Sequence, residues 1–210
     1  MIKAILFDMD GVLIEAKEWH YEALNRALKL FGYEISRYDH LITYDGLPTR
    51  RKLEMLSAEH SLPRELHEFI NEMKQRYTME LVHTHCKPRF VHEYALSSLK
   101  KRGYGLAVAS NSIRNTVEVM MSYACLDQYL DLMLSNEDVE HAKPHPDIYQ
   151  KAMRHFGLEP QQCLIVEDNE KGIAAAQASG AHYMVVKDVA DVNLDNIDRH
   201  IRLAEGGKKA

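Results

Sequence analysis

The sequence predicts a doubly wound α/β fold with a helical insertion, and the apolar runs carry the first part of this prediction. Five short runs have the length and composition of buried strands, and most precede polar or glycine residues and then a helical pattern. Such alternation is typical of a parallel sheet with helices packed against it. The predicted strands are Ala4–Phe7, Leu106–Ala109, Leu132–Leu134, Leu164–Val166 and Tyr183–Val186.

The spacing of the first two predicted strands indicates the insertion. About a hundred residues separate them, far more than one crossover helix requires. Three apolar stripes at helical spacing fill this interval. They run from Ala23 to Phe31, from Pro48 through Leu56, and from Leu66 to Leu81 after Pro63. We therefore divide the chain into an α/β core (residues 1–14 and 88–210) and an inserted helical domain (residues 15–87), with a return hinge at residues 82–88 and a frayed tail from Gly206.

Composition excludes several classes of protein. The formal charge of −5, from 26 basic and 31 acidic residues, gives no reason to expect nucleic acid as a partner, since a basic stripe is its usual footprint. No apolar run is long enough to cross a membrane, and the N-terminus does not resemble a signal peptide. The three cysteines lie far apart and are odd in number, so they imply no disulfide framework. A cytoplasmic protein is the expectation.

The most informative motif is DMDG, residues 8–11, directly after the first predicted strand. Ligands of open α/β sheets bind at the carboxyl ends of strands. Two carboxylates two residues apart at such an end suit phosphoryl transfer, because Asp8 can attack phosphorus while Asp10 carries a proton. An acidic, solvated turn would show the same letters, so this motif alone leaves both interpretations open.

Three later motifs favour the chemical interpretation. Ser110-Asn111 follows the second strand and offers a hydroxyl and a helix N-terminus to phosphate oxygens. Lys143-Pro144 offers a cation outside any predicted helix. Glu167-Asp168-Asn169 follows another strand with paired carboxylates that suit Mg²⁺. Separately, these motifs are also consistent with two helix caps and a surface charge, and only their combination and order are specific.

DMDGV, SN, KP and EDN together resemble the four signature motifs of the haloacid dehalogenase superfamily, over almost the whole chain. The insertion after the first motif is similar to the family's type 1 cap. GVLIEAKEWH and KPHPDIYQKA resemble the β-phosphoglucomutase-like phosphatases of that family in particular. The resemblance implies a Rossmann-like core, Mg²⁺ as cofactor and a small phosphorylated metabolite as ligand, with a monomer expected.

The resemblance also implies roles for the motif residues. Asp8 is the nucleophile that becomes phosphorylated, and Asp10 is the acid that protonates the leaving oxygen and then the base that activates water. Lys143 is the catalytic cation. Ser110 and the Asn111 backbone bind phosphate oxygens. The expected metal ligands are Asp8, Asp10 through its backbone carbonyl, Glu167 and Asp168.

Substrate selection is expected from the inserted domain. His20 lies where β-phosphoglucomutases also carry a histidine, although an ordinary polar helix face remains possible for it. The stretch YDGLPTRR, residues 44–51, resembles the family's substrate-specificity loop. In it, Gly46 permits close approach and Arg50 offers a cation to a phosphate or hydroxyl, unless Arg50 only coats a solvated surface.

These observations favour a Mg²⁺-dependent phosphatase that hydrolyses a small sugar or polyol phosphate through a phosphoaspartate. A β-phosphoglucomutase-type mutase is the alternative, since it shares every core residue. A shifted arginine in the specificity loop and the pair Ala16-Lys17 depart from the mutase pattern. A phosphonatase and a non-catalytic binding protein are less favoured.

Two histidine pairs resemble metal sites at first sight. His83 and His85 form one pair, and His141 and His145 form the other. Neither has a partner cluster at the spacing of a tetrahedral zinc site, so both are interpreted as polar residues of a hinge and a loop.

Overall fold

The core is a five-stranded parallel sheet, seen in a computed structural model that describes residues 1–206. The strand order is β3-β2-β1-β4-β5. Each predicted strand is present, and the bounds agree to within one residue. The strands are β1 (Ala4–Phe7), β2 (Gly105–Ala109), β3 (Leu132–Leu134), β4 (Cys163–Glu167) and β5 (His182–Val185).

The strand order confirms the predicted doubly wound sheet. From the central β1 the chain adds β2 and β3 on one side and then β4 and β5 on the other. Phe7 pairs with both Val108 and Val166, so the carboxyl ends of β1, β2 and β4 lie side by side. This is the switch point at which open α/β sheets bind ligands.

Helices cover the sheet because the strand side chains are apolar. All four residues of β1 and all five of β4 are buried. Ile148 and Tyr149 of one helix and Ala175 and Ala176 of another pack in one cluster with β1, β2 and β4 side chains. The core helices are Phe90–Lys101, Arg114–Tyr123, Asp147–Phe156, Glu170–Ser179 and Leu194–Ala204.

Residues Ala16–Cys86 form a second compact unit, separate from the unit made of Met1–Glu15 and the chain from Lys87 onward. Its helices pack around an apolar cluster that includes Leu24, Leu53 and Ile70. A π-helical turn, His40–Tyr44, lies between the first two long helices. The long helices are Lys17–Lys29, Thr49–His60 and His67–His85.

Three details differ from the sequence-based expectation. The predicted hinge at residues 82–88 is largely helical, since the last helix of this unit continues to His85. Phe69, placed in an apolar stripe, is 47% exposed and packs edge-on against Phe31. Arg114 begins the helix after Ser110-Asn111, so that motif does not cap it. The prediction of a frayed tail concerns residues that lie, from position 207 onward, outside the described part of the chain.

Two further features concern the cysteines and the length of the helices. Cys86, Cys125 and Cys163 are all free thiols. Across residues 1–206, every helix is too short or too polar to cross a lipid bilayer.

Candidate active site

A tight turn after β1 places the two motif aspartates. The Asp8 amide donates to the Val166 carbonyl at 2.9 Å and so extends the pairing of β1 with β4. The Met9 carbonyl then accepts hydrogen bonds from the amides of Leu13 (3.0 Å) and Ile14 (2.9 Å). Gly11 takes a positive φ of 93°, which a residue with a side chain rarely adopts. Asp8 therefore lies directly after the end of β1, and Asp10 lies in the turn.

Lys143 joins the ends of β1 and β4. Its Nζ lies 2.6 Å from Asp8 Oδ1 and 2.7 Å from Glu167 Oε1. All three side chains are buried, which excludes the surface-charge interpretation of Lys143. Tyr149 completes the group, because its hydroxyl donates to Glu167 Oε1 and its ring centroid lies 4.8 Å from the Lys143 ammonium.

Asn111 holds the loop that carries Lys143. Its Oδ1 accepts from the Lys143 amide at 3.0 Å, and its Nδ2 donates to the Lys143 carbonyl at 3.2 Å. The Asn111 carbonyl in turn accepts from Asn136 Nδ2 at 2.8 Å. The Lys143–Pro144 peptide within this loop is cis. The side chain of Asn111 thus positions the cation, a task that the sequence did not suggest.

Two serines face the second aspartate. Asp10 Oδ2 lies 3.1 Å from Ser112 Oγ and 3.5 Å from Ser110 Oγ. The Ser112 amide also donates to Ser110 Oγ at 3.0 Å. Ser110 therefore lies beside Asp10, and so does Ser112, which the sequence did not suggest. Its only signal in the sequence is a second hydroxyl two residues after the first.

The fourth motif, Glu167-Asp168-Asn169, ends β4 and leads into the next helix. Asn169 caps that helix by accepting from the Gly172 amide at 3.0 Å, so the helix-cap interpretation holds for this residue. Glu167 Oε1 accepts from Lys143 Nζ, and Asp168 Oδ1 accepts from Asn169 Nδ2 at 3.1 Å. A Cβ built on Gly172 would lie 2.0 Å from the Glu167 carboxylate. Glycine at this position therefore leaves room for Glu167.

The charge of the site is unbalanced. Burial raises the pKa of the Asp8 carboxyl well above its ordinary value, and repulsion by neighbouring carboxylates adds to this effect, while Lys143 opposes it. Burial alone would lower the pKa of Lys143, yet attraction by Asp8 and Glu167 raises it, so the ammonium stays charged. One buried cation thus faces four acidic side chains. These are Asp8, Asp10, Glu167 and Asp168.

The acidic group fits a hard divalent cation. One oxygen each from Asp8, Glu167 and Asp168 can be chosen so that all lie within 4.8 Å of one another. Carboxylate oxygens are the ligands that Mg²⁺ prefers, and a divalent charge would balance the excess of acid. The Asp10 side chain does not belong to this group, and the role of its backbone carbonyl as a ligand stays a prediction.

The three candidates for substrate selection lie in the unit Ala16–Cys86. His20 Nδ1 is 3.3 Å from Nζ of the buried Lys74, and Gly46 has a positive φ of 70°. The Arg50 side chain is 90% exposed and lies 3.7 Å from Glu54, one helical turn away. Their roles stay predictions.

The fold and this site define the class of protein, and comparison with known proteins agrees. Residues 5–186 match the family of haloacid dehalogenase-like hydrolases. The chain belongs to this family. It is therefore an enzyme of the phosphoric ester hydrolase type, as predicted.

Individual relatives include a pyrophosphatase and a mutase. Pyrophosphatase PpaX of Bacillus mycoides is 28% identical over 88% of this chain and 83% of its own length. A crystal structure of β-phosphoglucomutase from Clostridium difficile superposes with a TM-score of 0.84 at 21% identity, covering 98% of this chain and 100% of the other. CbbY from Rhodobacter sphaeroides, solved with phosphate, gives a TM-score of 0.79 at 25% identity, over 88% of this chain and 86% of its own.

Proposed function

We propose that this enzyme is a Mg²⁺-dependent phosphatase that hydrolyses a small sugar or polyol phosphate through a phosphoaspartate at Asp8. The observation that carries the proposal is the buried contact of Lys143 with both Asp8 and Glu167. A buried ammonium held against a strand-end aspartate balances charge where a phosphoryl group would be transferred.

The proposed reaction has two halves. A carboxylate oxygen of Asp8 attacks the phosphorus, the bond to the leaving alcohol breaks, and Asp10 gives a proton to that alcohol oxygen. Asp10 then takes a proton from a water molecule whose oxygen attacks the same phosphorus, which releases phosphate and restores the Asp8 carboxylate. The contacts from Ser112 and Ser110 support the role of Asp10, because they orient its carboxyl.

Asp8, Glu167 and Asp168 are the side chains proposed to hold Mg²⁺, together with the Asp10 carbonyl. When bound, the ion supplies positive charge to the phosphoryl oxygens. Lys143 supplies the second positive charge, and Asn111 keeps it in place through the loop backbone. Ser110 and the Asn111 amide are proposed to bind the remaining phosphate oxygens.

The proposed substrate is a phosphorylated sugar or polyol. CbbY from Rhodobacter sphaeroides has also been solved with xylulose-1,5-bisphosphate, at 24% identity to this chain. This supports a phosphorylated sugar, whereas the name of the Bacillus relatives makes pyrophosphate a necessary comparison. We assign substrate selection to His20, Gly46 and Arg50, with the unit Ala16–Cys86 as the cap.

A mutase that moves phosphate between two positions of one sugar is the second candidate. Its chemistry uses the same core residues, and β-phosphoglucomutase shares the fold. The pair Ala16-Lys17 departs from the mutase pattern and favours a phosphatase. We expect a cytoplasmic monomer in either case.

Phosphate release from a panel of compounds tests the proposal. The panel holds hexose, pentose, polyol and glycolate phosphates, a sugar bisphosphate, pyrophosphate and a phosphonate, each with and without Mg²⁺. Asp8→Asn is the blank, and Asp195→Asn, at an exposed aspartate, is the matched control. We expect the wild type and the control to release phosphate from one or two carbohydrate esters when Mg²⁺ is present. Asp8→Asn should release none.

Other outcomes would replace the proposal. Release from pyrophosphate alone would make the enzyme a pyrophosphatase. Conversion of β-glucose 1-phosphate to glucose 6-phosphate with a bisphosphate primer, without net release, would make it a mutase. Activity in Asp8→Asn equal to that of the wild type would overturn the phosphoaspartate mechanism.

A further inference from the structure

A second group of possible metal ligands lies on the loop that carries Lys143. It consists of His141, His145 and Asp147, whose ligand atoms can all lie within 4.8 Å of one another. Both histidines are exposed, and Asp147 is half-buried at the start of a helix. Within residues 1–206 this is the one three-residue group of this kind that contains histidine.

The three side chains are already in contact with one another. His141 Nδ1 lies 3.0 Å from Asp147 Oδ2. The rings of His141 and His145 stack with their centroids 4.7 Å apart and an angle of 27° between planes. From the sequence, the two histidines were interpreted as polar loop residues because no further ligand was apparent. Asp147, the first residue of the following helix, is such a ligand.

We propose that His141, His145 and Asp147 bind a divalent transition metal of the Zn²⁺ class. Imidazole nitrogens with one carboxylate suit Zn²⁺, Ni²⁺ or Cu²⁺ better than Mg²⁺. Ligand atoms around a tetrahedral zinc ion with bonds of about 2.0–2.2 Å lie roughly 3.3–3.6 Å apart. The observed ligand atoms lie within 4.8 Å of one another, so rotations of the two exposed histidine side chains would have to close only a short distance. Three protein ligands leave a fourth position for water.

A metal ion at this site would affect the loop that carries Lys143. His141 and His145 flank the segment 142–144, which contains Lys143 and the cis peptide to Pro144. The His145 amide already donates to the Ala142 carbonyl at 3.1 Å, and Asn111 holds the Lys143 backbone from the other side. A metal ion bound by both histidines would tie the two ends of this segment together and restrain its motion.

Metal titration tests the site without relying on catalysis. Zn²⁺ binding is measured by calorimetry, with Mg²⁺ in large excess to occupy the acidic group around Asp8. Co²⁺ then reports ligand type through its visible absorption. His145→Ala and Asp147→Asn are the test variants. His83→Ala is the matched control, because it removes an exposed histidine from the other pair.

We expect one Zn²⁺ per wild-type chain and a Co²⁺ spectrum of nitrogen ligation. Each test variant should bind at least about tenfold more weakly, since loss of even an outer partner of a metal ligand costs about 10–100-fold. His83→Ala should bind like the wild type. Equal Zn²⁺ affinity in His145→Ala and the wild type, or no Zn²⁺ binding at all, would overturn the proposal.

Hydrogen exchange provides the second measurement. Zn²⁺ should slow amide exchange in residues 140–147 of the wild type and leave it unchanged in His145→Ala. An equal slowing in both proteins would place the ion elsewhere and contradict the site. Because none of these measurements requires turnover, their outcome is independent of the proposed phosphatase activity.

Discussion

The Nζ of Lys143 lies 2.6 Å from Oδ1 of Asp8, and both side chains are almost completely buried. A buried ion pair is weak evidence of net stabilisation, because removing two charges from water costs about as much as their attraction returns. The importance of this ion pair lies instead in how it positions the acidic groups of the site. The lysine also contacts Glu167, so one cation restrains two of the acidic groups that face the end of β1.

Lys143→Met should destabilise the fold and abolish turnover. Removing one partner of a buried ion pair costs about 3–5 kcal/mol, and here two carboxylates lose their cation. Chemical denaturation measures the free energy of unfolding, and phosphate release measures activity. Lys151→Met is the control, because Lys151 is half-exposed where it pairs with Asp138. Equal unfolding free energies for the two variants would contradict this account.

Gly172→Ala should impair the metal site although the substitution favours helix formation. The added Cβ would lie 2.0 Å from the Glu167 carboxylate, which Lys143 and Tyr149 hold in place. Glu167 must shift, so we expect weaker activation by Mg²⁺ together with lower stability. Ala174→Gly is the control at an exposed position of the same helix. That change should cost about 1 kcal/mol through helix propensity and leave Mg²⁺ activation intact.

Ser112→Ala should lower kcat while leaving KM almost unchanged. Its hydroxyl lies 3.1 Å from Asp10 Oδ2 and orients the proposed acid–base group. A hydrogen bond to a charged group is worth about 1.5–3 kcal/mol, so we expect kcat to decrease roughly tenfold to a hundredfold. Ser122→Ala, at an exposed serine, is the control for steady-state kinetics. A normal kcat for Ser112→Ala would remove this serine from the mechanism.

His40 should make stability depend on pH. Burial lowers its pKa to about 4, and the nearby Lys52 contributes to this shift. The unfolded chain binds the proton near pH 6.5, whereas the folded chain resists it. Stability is therefore fully present above about pH 6.5 and is lost as the pH falls from there towards 4.

The variant His40→Gln isolates this effect. As the pH falls from above 7, the free energy of unfolding of this variant should decrease less steeply than that of the wild type. Protonation of one histidine with this pKa can lower the free energy of unfolding by at most about 3 kcal/mol. Parallel stability curves for the two proteins between pH 7 and 4 would show that His40 does not titrate in this way.

Much of the core could be predicted from the sequence because buried parallel strands are short apolar runs. β1 and β3 have the predicted bounds, and the strand-end motifs lie where those bounds place them. The insertion was recognisable from the distance between the first two strands. The helical state of its return segment was not, because the polar residues from His83 onward continue the helix to His85. The boundary between the two compact units still falls after Cys86, within the predicted hinge.

The sequence by itself determined the strands, the order of the motifs and the family, because these depend on local apolar patterns and on residues close together in the chain. Only the tertiary structure decided which side chains meet. Tyr149 reaches Glu167 because the helix that begins at Asp147 packs on the sheet, and Asn111 holds Lys143 across a separation of 32 residues. Such contacts depend on packing between distant segments, which no periodicity or spacing along the chain encodes.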